Sequence, residues 1–307
     1  MLSDGAGGPS MPTTNEMTLG QFIPLQYHFQ MLLDDARMRG FREALAYHVP
    51  LGGRVLDLGG GTGVLSYFAA ERAARVWCVE RNPELVSAAK RALARNGVAS
   101  RVEVVTADAR TYLPPEPVDV VVCEMLHAAL LREKQVEVIA SFKKRYAERF
   151  GRLPIFVPEA TILAVQPVHH SFAFAGYEAS IPLFFDPVGP QDGVTQLAAP
   201  LVYATVDYAQ PLPMRFDCQS TFTLTCDATF NALRFVTKNV LAVALDERRT
   251  IDWHNQYLVI PTPEPLDVHT GDSVSVRFAY EAGAELSMLI DGVTVTPTGR
   301  IGHAVAA

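Results

Sequence analysis

The spacing of apolar positions changes once along the chain, near residue 153. Before it, short apolar runs alternate with stretches whose apolar residues recur every three or four positions. Arg54-Val-Leu-Asp-Leu58 predicts a strand, Val64 to Arg75 a helix, Arg75-Val-Trp-Cys-Val79 a strand and Pro83 to Asn96 a helix, with further strands over Val102 to Thr106 and Val118 to Cys123. Continuously apolar strands separated by helices belong to a parallel sheet covered on both faces. Upstream, Gln26 to Tyr47 has helical spacing through Met31, Leu32, Phe41 and Leu45, with a break expected at Gly40. After Leu153 the chain is rich in Val, Thr, Phe and Pro and alternates with a period of two, in runs such as Thr161 to Gln166, Ser220 to Cys226, Asp272 to Phe278 and Glu285 to Ile290. That texture predicts a mostly antiparallel second domain, a barrel or a sandwich.

The expected order is therefore a polar, disordered stretch over 1–18, helices over 19–50, a doubly wound Rossmann-like domain over 51–154, and the β domain over 155–307. Within the last, His170 to Pro200 carries Phe172, Phe174, Tyr177, Phe184 and Phe185 without a clear period, a composition that suggests an interface.

Composition narrows the function. A net charge of −7 argues against a nucleic-acid surface and favours neutral or cationic partners. No apolar run approaches the roughly 20 residues that span a bilayer, and the N-terminal stretch has neither a basic head nor an apolar signal segment, so a cytoplasmic protein without membrane contact is expected. Cys78, Cys123, Cys218 and Cys226 show no CxxC spacing, and the pair His169-His170 has no carboxylate or cysteine at ligand spacing. Neither a disulfide framework nor a metal site is expected, and the two histidines read as surface.

The candidate chemistry lies where the predicted parallel strands end. Gly59, Gly61 and Gly63 make a tight strand-to-helix turn whose missing side chains let a ligand approach the backbone and the helix start. Seventeen residues after Gly63, the next strand ends in Glu80, an acid placed to accept the two hydroxyls of a ribose. Asp108 follows the third strand, where it is placed to accept from an adenine amino group. Glu124 follows the fourth, with Glu133 nine residues later. Two carboxylates at one sheet edge suit a cation.

Four separated stretches resemble the protein arginine N-methyltransferase family, over about residues 22 to 290. They are His28-Phe-Gln-Met31-Leu-Leu-Asp34-Asp-Ala-Arg37, Val55-Leu-Asp57-Leu-Gly59-Gly-Gly61-Thr-Gly63 with Glu80, Cys123-Glu124 through Glu133, and Asp252-Trp253-His254-Asn255-Gln256. The first is similar to the family's cofactor-capping helix, the third to its double-glutamate loop, the fourth to a Thr-His-Trp loop. The resemblance implies S-adenosylmethionine as cofactor, S-adenosylhomocysteine as product, and a homodimer with a dimerisation arm at about 170–199 on a β-barrel domain. It also implies a guanidinium clamp at Glu124 and Glu133. His28, Arg37, Asp57, Gly59, Gly61, Gly63, Glu80 and Asp108 are then expected on the cofactor side, Arg37 pairing with its methionyl carboxylate and Asp57 ordering the loop. Met31, Asp252 and Trp253 are expected on the substrate side, although Trp253 reads equally well as core, and His127 reads as structural.

Asp108 stands one residue before Ala109, where the family's adenine-contacting acid would fall, and three further positions depart from the family. Asp252 replaces a loop histidine that would face the acid matching Asp34, Phe22 stands for a tyrosine, and Gln135 stands for one of two methionines that limit the number of methyls, Met31 retaining the other. Adjacent carboxylates repel unless a cation or proton lies between them, so Asp252 is expected to recruit a second positive group. The acceptor is an arginine in a protein or peptide, or alternatively free arginine or another small guanidine with Asp252 at its α-ammonium. A non-catalytic regulatory subunit is a further alternative.

Overall fold

The computed structural model describes residues 25–187, 189 and 192–300. The stretch 1–18 and Phe22 lie outside the described residues. The helical run before the first strand divides into α1 (Leu25–Met31) and α2 (Asp35–His48). The break falls at Leu32 to Asp34, not at Gly40 as the sequence suggests. Asp34 is the N-cap of α2, its carboxylate accepting from Arg37 N at 2.9 Å. Gly40 stays helical because of what it touches: an added Cβ would lie 3.0 Å from Leu241 Cδ1 and 3.5 Å from Asp252 O.

Five parallel strands follow: β1 (Arg54–Leu58), β2 (Arg75–Glu80), β3 (Val102–Thr106), β4 (Val120–Cys123) and β5 (Ile155–Val157). They are ordered β3-β2-β1-β4-β5, with α3 (Val64–Ala69), α4 (Pro83–Arg95) and α5 (Gln135–Phe150) in the connections. β4 is buried along its whole length, as a strand covered on both faces requires. The β5 strand is a correction. Its residues lie beyond the expected boundary at 154, yet Val120, Val121 and Val122 pair in parallel with Ile155, Phe156 and Val157. Three residues are too few for their periodicity to show which sheet they join.

The remaining strands are β6 (Ala160–His170), a hairpin of β7 (Ala173–Phe174) and β8 (Tyr177–Glu178), β9 (Leu183–Phe185), β10 (Val194–Gln196), β11 (Leu201–Asp207), β12 (Arg215–Thr223), β13 (Ala228–Ala244), β14 (Arg249–His254), β15 (Tyr257–Val268), β16 (Ser273–Glu281) and β17 (Thr294–Gly299). They pair antiparallel in two larger sheets, one of seven strands built on β6, β13 and β15, the other β12-β16-β17. Ring contacts join the two across a shared core, Phe235 of β13 lying 5.1 Å from Phe278 of β16. The pairing among the described residues is thus that of two facing sheets, where the resemblance implies a barrel. Leu286–Gly292 forms α6 where a strand is expected, its Leu289 fully buried.

The aromatic segment after β6 is only partly exposed. Phe172 packs with Val168, Ala232 and Val259, while Phe174, Tyr177 and Ile181 face solvent. His170, read as surface, is buried between the rings of Phe172 and Phe185, each 4.9 Å away. One continuous buried cluster runs from the parallel sheet into the antiparallel one, including Phe41, Val121, Leu241 and Phe235.

Candidate active site

The order of the parallel strands reverses between β1 and β4, and ligands of such sheets bind outside the strand ends at that point. Leu58 pairs with Cys123 there, so Gly59 and Glu124 leave the sheet side by side. Gly59, Gly61 and Gly63 all have positive φ, at 77, 53 and 81°, which a side chain would strain. Gly60 is a position whose importance the glycine pattern did not reveal: an added Cβ would stand 2.3 Å from Cys78 Sγ. The turn is held down by Gly59 N and Gly60 N, which donate to Val79 O at 3.0 and 2.9 Å.

Glu80, buried at the end of β2, accepts from Gly61 N at 3.0 Å and from Asn82 N at 2.8 Å, one bond on each carboxylate oxygen. Each oxygen keeps acceptor capacity for a hydroxyl. Asp57 and Gly63 stand behind the cavity wall. Burial pushes the Asp57 carboxyl up to about 7, partly offset by the hydrogen bond from Ser66 Oγ at 2.6 Å, which ties β1 to α3. Asp108 lines the cavity with its carboxylate engaged: Arg110 Nη2 and Nε donate at 2.6 and 3.1 Å, and Arg81 Nη1 stands 3.6 Å away. The hydrogen bonds from Arg110 hold that carboxyl below its ordinary range. His28 forms the opposite lip, and burial lowers its imidazole pKa. These residues enclose a cavity of about 1250 Å³, its open mouth included.

A second, wider cleft of about 2600 Å³ with its mouth opens between α1, α2 and the β14–β15 turn. The two cavities share Met31, Arg37, Arg132 and Glu133 as walls. Arg37 is buried, pairs with Glu124, and lies 4.9 Å over the Trp253 ring. Among the described residues it is therefore Glu124 that holds Arg37, the arginine expected to meet a cofactor carboxylate. Glu124 Oε1, also buried, has no hydrogen-bond partner among the described residues. Glu133 is half-buried; burial pushes its carboxyl up to about 7 against the pull of Arg37 and Arg132. Trp253 is both core and site: its ring packs against Phe41 while Nε1 donates to Asp34 Oδ2 at 3.0 Å. Asp34 thus caps α2 with one oxygen and holds the tryptophan with the other.

Asp252 lies in the cleft wall, but its expected positive partner comes from the chain itself. Lys238 Nζ is 2.8 Å from Asp252 Oδ2, which also accepts from Thr250 Oγ1 at 2.8 Å. A lone lysine within the apolar run of β13 was the available signal. Gln135 is fully buried and lines neither cavity, so it is not placed to limit methyl number. His127 lies in the cleft wall, its Nδ1 3.1 Å from Ala128 O and its ring edge-on to Phe184; burial lowers its pKa. Arg132, which borders both cavities from a left-handed backbone position, was not singled out from the sequence.

Among the described residues, no group of three or more histidine, cysteine or acidic side chains is placed to hold a metal. No described helix is long and apolar enough to cross a membrane. The glycine turn, the buried acid at the end of β2 and the arginine at the cavity wall fit S-adenosylmethionine, and this is the cofactor-binding arrangement of a class I methyltransferase.

Residues 55–147 match the family described as methyltransferase domain. An uncharacterized protein of Methanothermobacter thermautotrophicus is 32% identical over 269 residues, covering 87% of this chain and 96% of that protein. Protein arginine N-methyltransferase PRMT10 of Arabidopsis thaliana is 30% identical over 176 residues, which are 55% of this chain and 45% of that protein. This match spans less than half of that relative's length. Among solved structures, the Trypanosoma brucei PRMT1 enzyme-prozyme heterotetrameric complex with AdoHcy is similar with a TM-score of 0.67 at 16% identity, over 88% of this chain and 96% of that one. Residues 55–147 form a methyltransferase domain, and the chain is an S-adenosylmethionine-dependent enzyme similar over about half its length to protein arginine N-methyltransferases.

Proposed function

We propose that the enzyme methylates the guanidino group of an arginine within a peptide or protein, held by Glu124 and Glu133. The observation that carries this is the buried Glu124 Oε1, without a hydrogen-bond partner among the described residues, in the wall of the cofactor cavity that shares Glu133 with the open cleft. An anionic oxygen without a donor is costly to bury, and a guanidinium supplies planar paired donors. Arg37 supports the same reading, since its own guanidinium pairs with Glu124 and stacks on Trp253.

When bound, the cofactor supplies a sulfonium methyl, whose S–C bond breaks as the N–C bond forms. The two carboxylates fix the guanidinium plane and draw its positive charge toward the held nitrogens, leaving the remaining nitrogen richer in electron density and aimed along the transfer line. Catalysis is then mostly positioning and electrostatics. The proton lost by the methylated nitrogen goes to Glu133, whose buried carboxyl holds a proton more readily than an exposed one.

A peptide is favoured over free arginine because Lys238 already neutralises Asp252, the group that would hold an α-ammonium. The exposed Phe174, Tyr177 and Ile181 support an arm that closes a homodimer, and we place the enzyme in the cytoplasm. Incubation with S-adenosylmethionine and either free arginine or an arginine-rich peptide, read by mass spectrometry, separates the acceptors. Methyl transfer to peptide alone is expected. Transfer to free arginine alone would move the assignment to small guanidines, and absence of cofactor binding in calorimetry would leave only a regulatory subunit.

A further inference from the structure

Glu124 lies in a loop that its parent sheet barely holds. β4 ends at Cys123, and between the two glutamates Ala129, Leu130 and Arg132 adopt φ of 56, 53 and 56°, strained for residues with a side chain. Such a loop keeps one shape only if its surroundings impose it. Two sets of buried polar contacts do so.

The first is Gln135, the opening residue of α5 and two positions past Glu133. Its Oε1 accepts from Met125 N at 2.9 Å and its Nε2 donates to Cys123 O at 2.8 Å. One amide therefore bonds the backbone on both sides of Glu124, from a point next to Glu133. The second comes from the antiparallel sheets. Thr161 Oγ1 donates to Asn239 Oδ1 at 2.9 Å, Asn239 Nδ2 to Asn255 Oδ1 at 2.7 Å, and Asn255 Nδ2 to Leu126 O at 2.9 Å. Each donor in this chain belongs to a buried side chain, so the bonds point in one direction and reinforce one another. Nearer the loop apex, Ala129 N donates to Thr237 Oγ1 at 2.7 Å and Ala129 O accepts from Tyr280 Oη at 2.9 Å.

We infer that Gln135 and Asn255 are positioning residues for the carboxylate pair. Gln135 sets the separation of Glu124 from Glu133, and Asn255 locks that loop to the end of β14, the strand that carries Trp253. The inference rests on the clamp reading above. It also gives Gln135, which departs from the family, a role other than counting methyls. Hydrogen bonds from both ends of a fully buried amide are what a spacer needs; an apolar side chain of equal length fills the space but bonds neither neighbour of Glu124.

The test uses the full chain with Gln135→Met, Asn255→Ser, Thr237→Val and Thr237→Ser, each assayed for cofactor affinity, kcat, KM and amide hydrogen exchange, alongside Glu124→Gln. For Gln135→Met we expect unchanged cofactor affinity, a loss of about 100-fold in kcat with little change in KM, as displaced catalytic groups give. Exchange at Met125 N–H should accelerate, because its acceptor is gone. Thr237→Val should lower kcat and Thr237→Ser, which keeps the hydroxyl, should restore it. Wild-type kcat in Gln135→Met with an inactive Glu124→Gln would overturn the positioning role and leave the clamp standing. An active Glu124→Gln would instead remove the clamp. Should Gln135→Met fail to fold, the Thr237 pair and Asn255→Ser decide the matter: wild-type kcat in both Thr237→Val and Asn255→Ser overturns the inference.

Discussion

Glu80 and Glu124 each stand at the end of a parallel strand, yet different parts of the chain hold them. The carboxylate of Glu80 is gripped by Gly61 N, in the turn after the adjacent strand β1, and by Asn82 N, two residues along the chain. Glu124 is paired with Arg37, 87 residues away, and its loop is bonded by Gln135, Asn255, Thr237 and Tyr280. The cofactor wall is thus a product of the parallel sheet, while the carboxylate pair is held in addition by α2 and by contacts from the antiparallel half. Damage to the two should separate.

The largest effect is expected at the pair itself. Glu124→Gln and Glu133→Gln each remove a charged acceptor from the guanidinium, and we expect turnover to fall by about a thousandfold, comparable with losing a principal electrostatic contact in other active sites. Cofactor affinity should survive, since Glu80 and the glycine turn are untouched. Single-turnover rates together with calorimetry check both halves; turnover near the wild-type rate in either variant would refute the clamp.

The converse change sharpens the comparison. Glu80→Gln keeps the shape of the side chain but turns one of the two oxygens that accept from Gly61 N and Asn82 N into a donor, which loosens the glycine turn and weakens acceptance from ligand hydroxyls. Hydrogen bonds to charged groups contribute roughly 1.5–3 kcal/mol, so cofactor affinity should fall about 10- to 100-fold. At saturating cofactor, kcat should stay close to wild type. A kcat loss as deep as that of Glu124→Gln would mean that the two walls are not independent.

The same division governs what could be read from the sequence. The glycine turn, Glu80 and the two glutamates were legible because each is a residue type with a chemical use at a strand end. Parallel strands were legible because burial on both faces leaves an uninterrupted apolar run. The supports of the pair were not: Gln135 and Asn255 are ordinary polar residues until a fold buries them against backbone groups far along the chain. Asp252 was legible as a charge seeking a partner, but Lys238, on the neighbouring strand β13, emerged only from the register that pairs Val240 with Asp252 and Lys238 with His254. Leu286–Gly292 shows the limit of periodicity. Leu286, Met288 and Ile290 alternate, while Leu286, Leu289 and Ile290 fit a helical face, and seven residues cannot decide between them. Gly40 was misread because a helical glycine is more often a weak point than a contact; here Leu241 and the β14 backbone lie against it.

The smallest effect concerns pH, and it again distinguishes the two sides. Glu133 sits where burial raises its carboxyl to about 7, whereas Glu80 is fixed by backbone donors. Below that value the free enzyme carries a protonated Glu133 that cannot pair with a guanidinium; above it the carboxylate is ready. We therefore expect kcat/KM for the acceptor to rise about tenfold per pH unit up to about 7 and then level, since this parameter reports the free enzyme. Binding a guanidinium next to Glu133 favours the charged form, so the inflection in kcat should lie at lower pH than that in kcat/KM. By linkage, acceptor binding below pH 7 should release a proton, visible as a dependence of the calorimetric enthalpy on the ionisation enthalpy of the buffer. If kcat/KM is flat between pH 6 and 8 and acceptor binding releases no proton, Glu133 enters the reaction already charged and the proton must leave the guanidinium by another route.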